Sequence, residues 1–276
     1  MKKLLATATL CVLIAAPVVS SAGPEDDKKA FQEYFKKRFP NVPFDDYNNG
    51  VYALSPGARE QWMAIEEFPP YQIAVDEGKK LFETPFKNGQ TYAACFPNNG
   101  IGVNDLYPMF DTKRGEVVTL SQAVNECRVR NNEEPLDEKG KLSSVLAYLA
   151  FTTRGKKIDI KVPDDPKALE AFNNGKTMYY TRRGQLNMAC AHCHVDNAGN
   201  KLRANMLSPG LGHASHFPVY RSEAGGMVTL HSRFVGCNAQ VRAAPFKPQS
   251  KEYKELEYFL TYMSNGLTWN GPAARE

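Results

Sequence analysis

Cys190-Ala191-His192-Cys193-His194 is the stretch on which the reading of this chain turns. Two thiols separated by two residues, with a histidine directly after the second, have the spacing of a covalently attached c-type haem. The thiols can add to both vinyl groups of one porphyrin, and the histidine then stands ready to bind the iron from one face. A C-x-x-C pair can also serve zinc, which needs a second ligand pair at suitable spacing, or a redox dithiol, which usually sits in a βαβ context. The surrounding sequence offers neither. One covalently bound haem c is expected, tethered by Cys190 and Cys193, with His194 as an axial ligand of its iron.

The compartment agrees with that chemistry. Met1-Lys2-Lys3 is a charged start, Leu4 to Ala16 is an apolar run, and Ser20-Ser21-Ala22 offers small residues for cleavage before Gly23. Residues 1–22 therefore read as a signal peptide, with Cys11 in the discarded segment. The run is short for a bilayer span and no second one follows, so the mature chain is expected in the periplasm without membrane insertion. The 276 residues include 34 basic and 30 acidic side chains. Loss of Lys2 and Lys3 leaves a nearly neutral chain with no case for nucleic-acid binding. Cys95, Cys127, Cys190, Cys193 and Cys237 remain. Two are taken by haem, and the odd remainder leaves at least one thiol unpaired or special.

The chain also contains itself twice. Tyr107-Pro108-Met109-Phe110 matches Phe217-Pro218-Val219-Tyr220, Val118-Thr119-Leu120 matches Val228-Thr229-Leu230, Gly115 matches Gly225 and Cys127 matches Cys237, all 110 positions apart. The same offset pairs Leu146 with Leu256 and Tyr148 with Tyr258. Upstream, Gly78-Lys79-Lys80-Leu81-Phe82 resembles Gly175-Lys176-Thr177-Met178-Tyr179. This is an internal duplication. Where the second copy carries the attachment motif, the first has Cys95-Phe96-Pro97-Asn98-Asn99, with no second thiol and no histidine. The first copy should bind no haem. Cys95 and Cys127 then occupy positions where a haem-linking thiol and a residue of the opposite wall once faced each other, and without a porphyrin between them a Cys95–Cys127 disulfide is the natural pairing; the alternative is two separate buried thiols.

The expected fold is all-α: two tandem cytochrome c-like domains, the first degenerate and haemless. Residues 71–162 form the degenerate domain and 163–276 the haem domain, joined through the proline-rich Lys161–Pro166. Residues 23–70 form an N-terminal extension, helical around Phe31 to Phe39, packed on the first domain. Helices are expected over Asp76–Phe82, Lys141–Phe151 and Lys251–Met263 from apolar spacing. Ser250 is the expected cap of the last helix and Gly266 its stop.

The second axial ligand is the open question of the sequence. Electron-transfer cytochromes c usually take it from methionine, and Met206, Met227 and Met263 are available. The duplication favours Cys237, which lies opposite the attachment motif in the repeated frame and which the cysteine count leaves without a partner. His213, His216 and His231 are weaker candidates. A thiolate ligand lowers the reduction potential and is the reactive form of sulfur, so a site for sulfur chemistry is expected and Cys237 is its catalytic residue. Arg233 would share a helical face with Cys237, and its repeat position is Ala123. An arginine found in the active copy alone suits recognition of a sulfur oxyanion. Arg242, opposite Asn132, reads rather as a surface charge or a propionate partner.

Together, Arg233-Phe234-Val235-Gly236-Cys237, Pro245-Phe246, Ser250-Lys251-Glu252-Tyr253, Leu256-Glu257 and Ser264-Asn265-Gly266, downstream of the Cys190–His194 motif, resemble the A subunit of the thiosulfate-oxidising Sox cytochrome complex, SoxAX. The resemblance extends back through Tyr107-Pro108 and Asn125-Glu126-Cys127-Arg128 and covers most of the mature chain. Many members carry a second haem in the first domain; this sequence looks like the single-haem variant. The resemblance implies L-cysteine S-thiosulfotransferase activity, the oxidative coupling of thiosulfate to a cysteine of a SoxYZ-like sulfur-carrier protein. It implies a SoxX-like monohaem cytochrome c as heterodimer partner and electron acceptor, Cys237 as iron ligand and persulfide carrier, and Arg233 as substrate-binding residue. The competing readings are an electron-transfer cytochrome with His/Met ligation, and a binding module in which the haem domain only scaffolds a complex.

Overall fold

The structure, a computed structural model, describes residues 23–275; the expected signal peptide lies outside the described residues. The chain begins with α1 (Pro24–Arg38), whose acidic first turn and basic last turn complement its dipole. A 3₁₀ stretch over Phe44–Ala53 leads to α2 (Pro56–Glu66), capped by the Ser55 hydroxyl. The first copy follows: α3 (Gln72–Glu83), a hairpin of β1 (Met109–Asp111) and β2 (Glu116–Val118), then α4 (Leu120–Arg130) and α5 (Lys141–Phe151). The second comprises α6 (Pro166–Tyr180), the short pair β3 (Lys201–Leu202) and β4 (Asn205–Met206), and the hairpin β5 (Val219–Arg221) and β6 (Gly226–Val228). It ends with α7 (Leu230–Gln240), α8 (Lys251–Met263) and β7 (Ala273–Arg275). β7 runs parallel to β5, with Val219 opposite Ala273. The fold is predominantly helical, and the hairpins are its small departure from an all-α expectation.

The duplication is visible residue by residue. Met109 pairs with Val118 as Val219 pairs with Val228. Thr119 caps α4 and Thr229 caps α7, each hydroxyl accepting from a backbone N–H at 3.2 Å. Both copies enter the hairpin through a cis peptide, Tyr107-Pro108 and Phe217-Pro218.

Each copy is built on a helix crossing set by glycine. α3 crosses α5 at Gly78, where a Cβ would fall 1.9 Å from the Ser144 carbonyl oxygen. α6 crosses α8 at Gly175, where it would fall 2.1 Å from that of Glu255. Only a residue without a side chain lets the backbones approach this closely. These contacts also correct the register of the repeat. Ser144 corresponds to Glu255, and Tyr148 to Phe259, an offset of 111 rather than 110. One residue has been inserted between α7 and α8, so the Leu146–Leu256 and Tyr148–Tyr258 matches are not positions of equal packing.

The two copies trade hairpins. Phe110 and Val117 of the first hairpin are buried in the core formed by Phe172, Tyr258 and Phe259 of α6 and α8. Reciprocally, Tyr220 and Met227 of the second pack with Val75 and Ala147 of α3 and α5. A polar seam repeats the symmetry: the Thr119 hydroxyl donates to Gln249 Oε1 at 2.6 Å, and the Thr229 hydroxyl to Glu138 Oε2 at 2.8 Å.

The extension departs from expectation. Its first half packs on the second copy, not the first. Phe31 and Phe35 of α1 enter the core with Phe172, Tyr179 and Leu211, Gln32 donates to the carbonyls of Met263 and Asn265, and Lys176 pairs with Asp27 at 2.6 Å. The reason is apolar matching, since the two phenylalanines, one turn apart on α1, meet the aromatic face of α6. The second half reaches the first copy, where Trp62 of α2 packs with Tyr71.

Candidate functional site

The attachment motif lies just beyond the Arg183–Met188 bridge that follows α6. Its thiols and histidine are shaped by a wide helical turn over His192–Asp196, in which the Asn197 N–H donates to the His192 carbonyl at 3.1 Å. Ser208-Pro209-Gly210 crosses behind it. The Gly210 N–H donates to the His194 carbonyl at 2.7 Å, and a Cβ at Gly210 would meet the Tyr179 hydroxyl at 2.3 Å, so glycine is required for this close pass.

His194 Nδ1 lies 2.9 Å from the Ser208 carbonyl oxygen. A carbonyl can only accept, so Nδ1 carries the proton and Nε2 keeps its lone pair for a metal. Burial holds the imidazole down at about 4, with the Ser208 bond opposing and Arg233 adding to the lowering; the ring is neutral at pH 7, as a ligand must be. Cys190, Cys193 and Cys237 are free thiols. Burial pushes Cys190 up to about 12 and raises Cys193, and the Cys237 sulfur adds to both shifts. The three sulfurs therefore share one electrostatic neighbourhood. Beside Cys190, the Tyr179 hydroxyl and Nη1 of Arg183 are buried without hydrogen-bond partners among the described residues. Two thiols, a neutral imidazole with a free nitrogen and unspent donors are what a covalent haem needs, and the site fits the group.

Cys237 sits on α7, half-buried, one turn beyond Arg233, whose N–H donates to the Thr229 carbonyl. Arg233 adds to the lowering of the His194 and His213 imidazoles, for which burial is the main cause. Arg242 is exposed, with φ 55°, and ends α7 as Asn132, with φ 59°, ends α4; it is a turn residue. The remaining ligand candidates have other partners. Met227 belongs to the core of the first copy and Met263 to the main core, while Met206 lines a surface cavity with Phe39 and Leu54. His216 bonds the Asn48 carbonyl, and His231 lies between the Gln249 N–H and the Glu257 carboxylate, each at 2.9 Å. His213 bonds the Ser208 hydroxyl and meets the His194 ring edge-on at 4.2 Å.

Cys95 and Cys127 form a disulfide with Cα atoms 5.8 Å apart, packed among Phe82, Tyr92, Phe96 and Leu149.

Arg221 was not singled out from the sequence. It closes β5, its side chain is 13% exposed, and it meets Glu223 at 3.7 Å. Burial lowers its pKa, Arg233 adds to the lowering, and the Cys237 sulfur opposes it. A signal existed: position 221 corresponds to Asp111, a charge reversal inside the repeat.

A tandem-helical fold with a haem-attachment site defines a c-type cytochrome with a duplicated domain. The family model "SoxA/TsdA, cytochrome c domain" matches residues 77–158 and 174–269, and the chain belongs to this family. It is 55% identical to the L-cysteine S-thiosulfotransferase subunit SoxA of Allochromatium vinosum, over 94% of this chain and 92% of the relative. It is 54% identical to that of Chlorobaculum tepidum, over 91% and 87%. Among solved structures, SoxXA from P. pantotrophus matches with a TM-score of 0.72 and 33% identity, covering 79% of this chain and 84% of that one. Among the described residues no helix is long and apolar enough to cross a membrane.

Proposed function

We propose that this chain is the catalytic subunit of a periplasmic L-cysteine S-thiosulfotransferase, which couples thiosulfate oxidatively to a cysteine of a SoxYZ-like carrier. A SoxX-like monohaem cytochrome c is its partner in a heterodimer and receives the electrons. The observation that carries the reading is Cys237 one turn beyond Arg233 on α7, with the Cys237 sulfur adding to the upward shifts of Cys190 and Cys193 and Arg233 adding to the lowering of His194. The names of the relatives and the neighbouring SoxXA structure support it.

One haem c would be held by Cys190 and Cys193, with His194 and Cys237 as the residues that would bind its iron; the Cys95–Cys127 disulfide supports a haemless first domain. When bound, the haem supplies a redox-active iron whose potential a thiolate ligand keeps low. The chain's own residues do the rest. Arg233 fixes the sulfonate end of thiosulfate through its planar fork of donors, which aims the sulfane sulfur at Cys237. A bond forms between the Cys237 thiolate and that sulfane sulfur with loss of two electrons to the external acceptor, giving Cys237–S–S–SO₃⁻. The carrier thiolate then attacks the sulfane sulfur and the bond to Cys237 breaks, returning its thiolate and leaving the carrier as its S-thiosulfonate. The sum converts a thiol and thiosulfate into the thiosulfonate, one proton and two electrons. Hydrolysis of the S–SO₃ bond of that adduct, with the sulfonate leaving as sulfate, would leave the sulfane sulfur on Cys237 as the persulfide. The methionine placements weigh against a His/Met electron carrier.

The test is turnover of thiosulfate and carrier by the purified complex, wild type against Cys237→Ala, with a low-temperature EPR spectrum of the ferric protein. Lost turnover and a thiolate signature support the reading; full turnover in the variant, or a thioether signature, defeats it.

A further inference from the structure

The His194 side of the site carries an imidazole that packing alone does not require, and the first copy serves as the control. The loop behind His194 recurs there at the same offset of 110, with Gly210-Leu211-Gly212-His213 matching Gly100-Ile101-Gly102-Val103. The backbone course is kept. Gly102 and Gly212 both take the left-handed conformation, with φ 71° and 83°. A Cβ at Gly100 would meet the tip of the Phe82 ring at 2.4 Å, and one at Gly210 meets the hydroxyl of Tyr179, the residue that matches Phe82. The side chains then diverge. Val103 is a buried member of the first core, and at its position the second copy has His213.

His213 reaches back to the residue that fixes His194. Its Nε2 shares a 2.7 Å hydrogen bond with the Ser208 hydroxyl, while the Ser208 carbonyl accepts from His194 Nδ1 at 2.9 Å. The two rings also meet edge-on, with centroids 4.2 Å apart. Pro209 confines the Ser208 ψ to extended values. Rotation about the Ser208 φ is then the freedom that would swing the carbonyl off the imidazole, and the bond to His213 restrains it. The turn that carries His213 is itself anchored. The Gly212 N–H donates to the Ser264 hydroxyl at 3.0 Å, and the Ser215 hydroxyl donates to the Gly212 carbonyl at 2.7 Å. At the position matching Ser208, the first copy has Asn98, whose amide donates to the Ile101 carbonyl at 3.1 Å. That copy contains no histidine to hold.

We infer that His213 is a positioning residue for His194: its bond to the Ser208 hydroxyl locks the peptide whose carbonyl orients the imidazole and strengthens it as a metal donor. The inference rests on the haem reading above and deepens it by naming a group that acts on the iron through Ser208 and His194. A carbonyl that accepts from Nδ1–H makes the opposite ring nitrogen more basic, and a more basic donor favours ferric iron and lowers the reduction potential. Loosening the carbonyl weakens that donation.

The test uses the haem-loaded complex and reads the reduction potential by redox titration, together with a low-temperature EPR spectrum of the ferric protein. His213→Val installs the side chain the first copy uses, and Ser208→Ala removes the hydroxyl but keeps the carbonyl. Each is expected to raise the potential and to change the spread of EPR g-values. The double variant should move the potential no further than the larger single shift, because both act on one path. A histidine that only filled space would leave both readouts at their wild-type values. An unchanged or lowered potential in His213→Val overturns the inference, and so does a double variant whose shift is the sum of the two singles. Ser208→Ala carries the test if His213→Val does not fold or retain haem, and an unchanged or lowered potential there overturns it. Wild-type protein without covalent haem, or with a ferric spectrum lacking an imidazole ligand, would sink the parent reading instead, so the two failures are distinct.

Discussion

At the scale of single residues, the proposed mechanism divides its work between a reactive sulfur and the groups that would aim and tune it. Cys237→Met exchanges a thiolate for a thioether and should raise the haem reduction potential, measured by redox titration, while turnover drops by on the order of 10²-fold or more. Arg233→Lys keeps the charge but loses the planar fork, and kcat/KM for thiosulfate is expected to fall about 10- to 100-fold with the absorption spectrum intact. The residues this proposal uses were all named from the sequence. The C-x-x-C-H spacing gave away Cys190, Cys193 and His194, and the contrast between copies singled out Cys237 and Arg233. The Ser208 carbonyl that fixes the His194 tautomer could not be read at all, since a backbone acceptor leaves no mark on residue type.

At the scale of elements, the crossings of α3 with α5 and of α6 with α8 tolerate no side chain. Gly175→Ala would drive a Cβ against the Glu255 carbonyl, and a carbonyl in a helix cannot step aside. The variant should lose about 3 kcal/mol or more, read as a lowered thermal midpoint and poor haem retention. Apolar periodicity located α5 and α8, and the Ser250 cap is present, its Oγ accepting from the Tyr253 N–H. The one-residue slip between the copies was hidden because identical Leu and Tyr pairs favoured the wrong offset. Contact through Gly78 and Gly175 reports register; identity along a line of sequence does not. The disulfide, 32 residues apart in sequence, acts on the unfolded chain as well as the folded one. Replacing Cys95 and Cys127 together by serine should cost about 2–4 kcal/mol in denaturant unfolding without changing the haem spectrum.

At the scale of the whole molecule, charge ties the two copies together. Lys254 of α8, almost fully buried, donates to Glu116 of β2 at 2.7 Å. Arg114 pairs with the same carboxylate and with Glu126. Lys254 is the main reason the Glu116 carboxyl titrates below its ordinary range, with Arg114 contributing and burial opposing. A carboxyl whose folded pKa is depressed stabilises fully above its unfolded value, near pH 4.3, and loses that contribution as pH falls through the lower folded value. Glu116→Gln should therefore lower the thermal midpoint at pH 7 and narrow its gap to wild type as the pH approaches 3. Glu116 is 38% exposed, so solvent screening keeps the difference to about 1 kcal/mol. The sequence did not reveal that α1 would settle on α6 and α8, because the amphipathic pattern of a helix names its sticky face and not the wall that face will meet. That arrangement bears on biogenesis. α1 precedes the attachment motif and α8 follows it, and both contribute to the core around α6, so that core closes only when the segments on either side of Cys190–His194 come together. An exported chain that has not yet made this closure keeps Cys190 and Cys193 within reach of whatever enzyme installs the porphyrin.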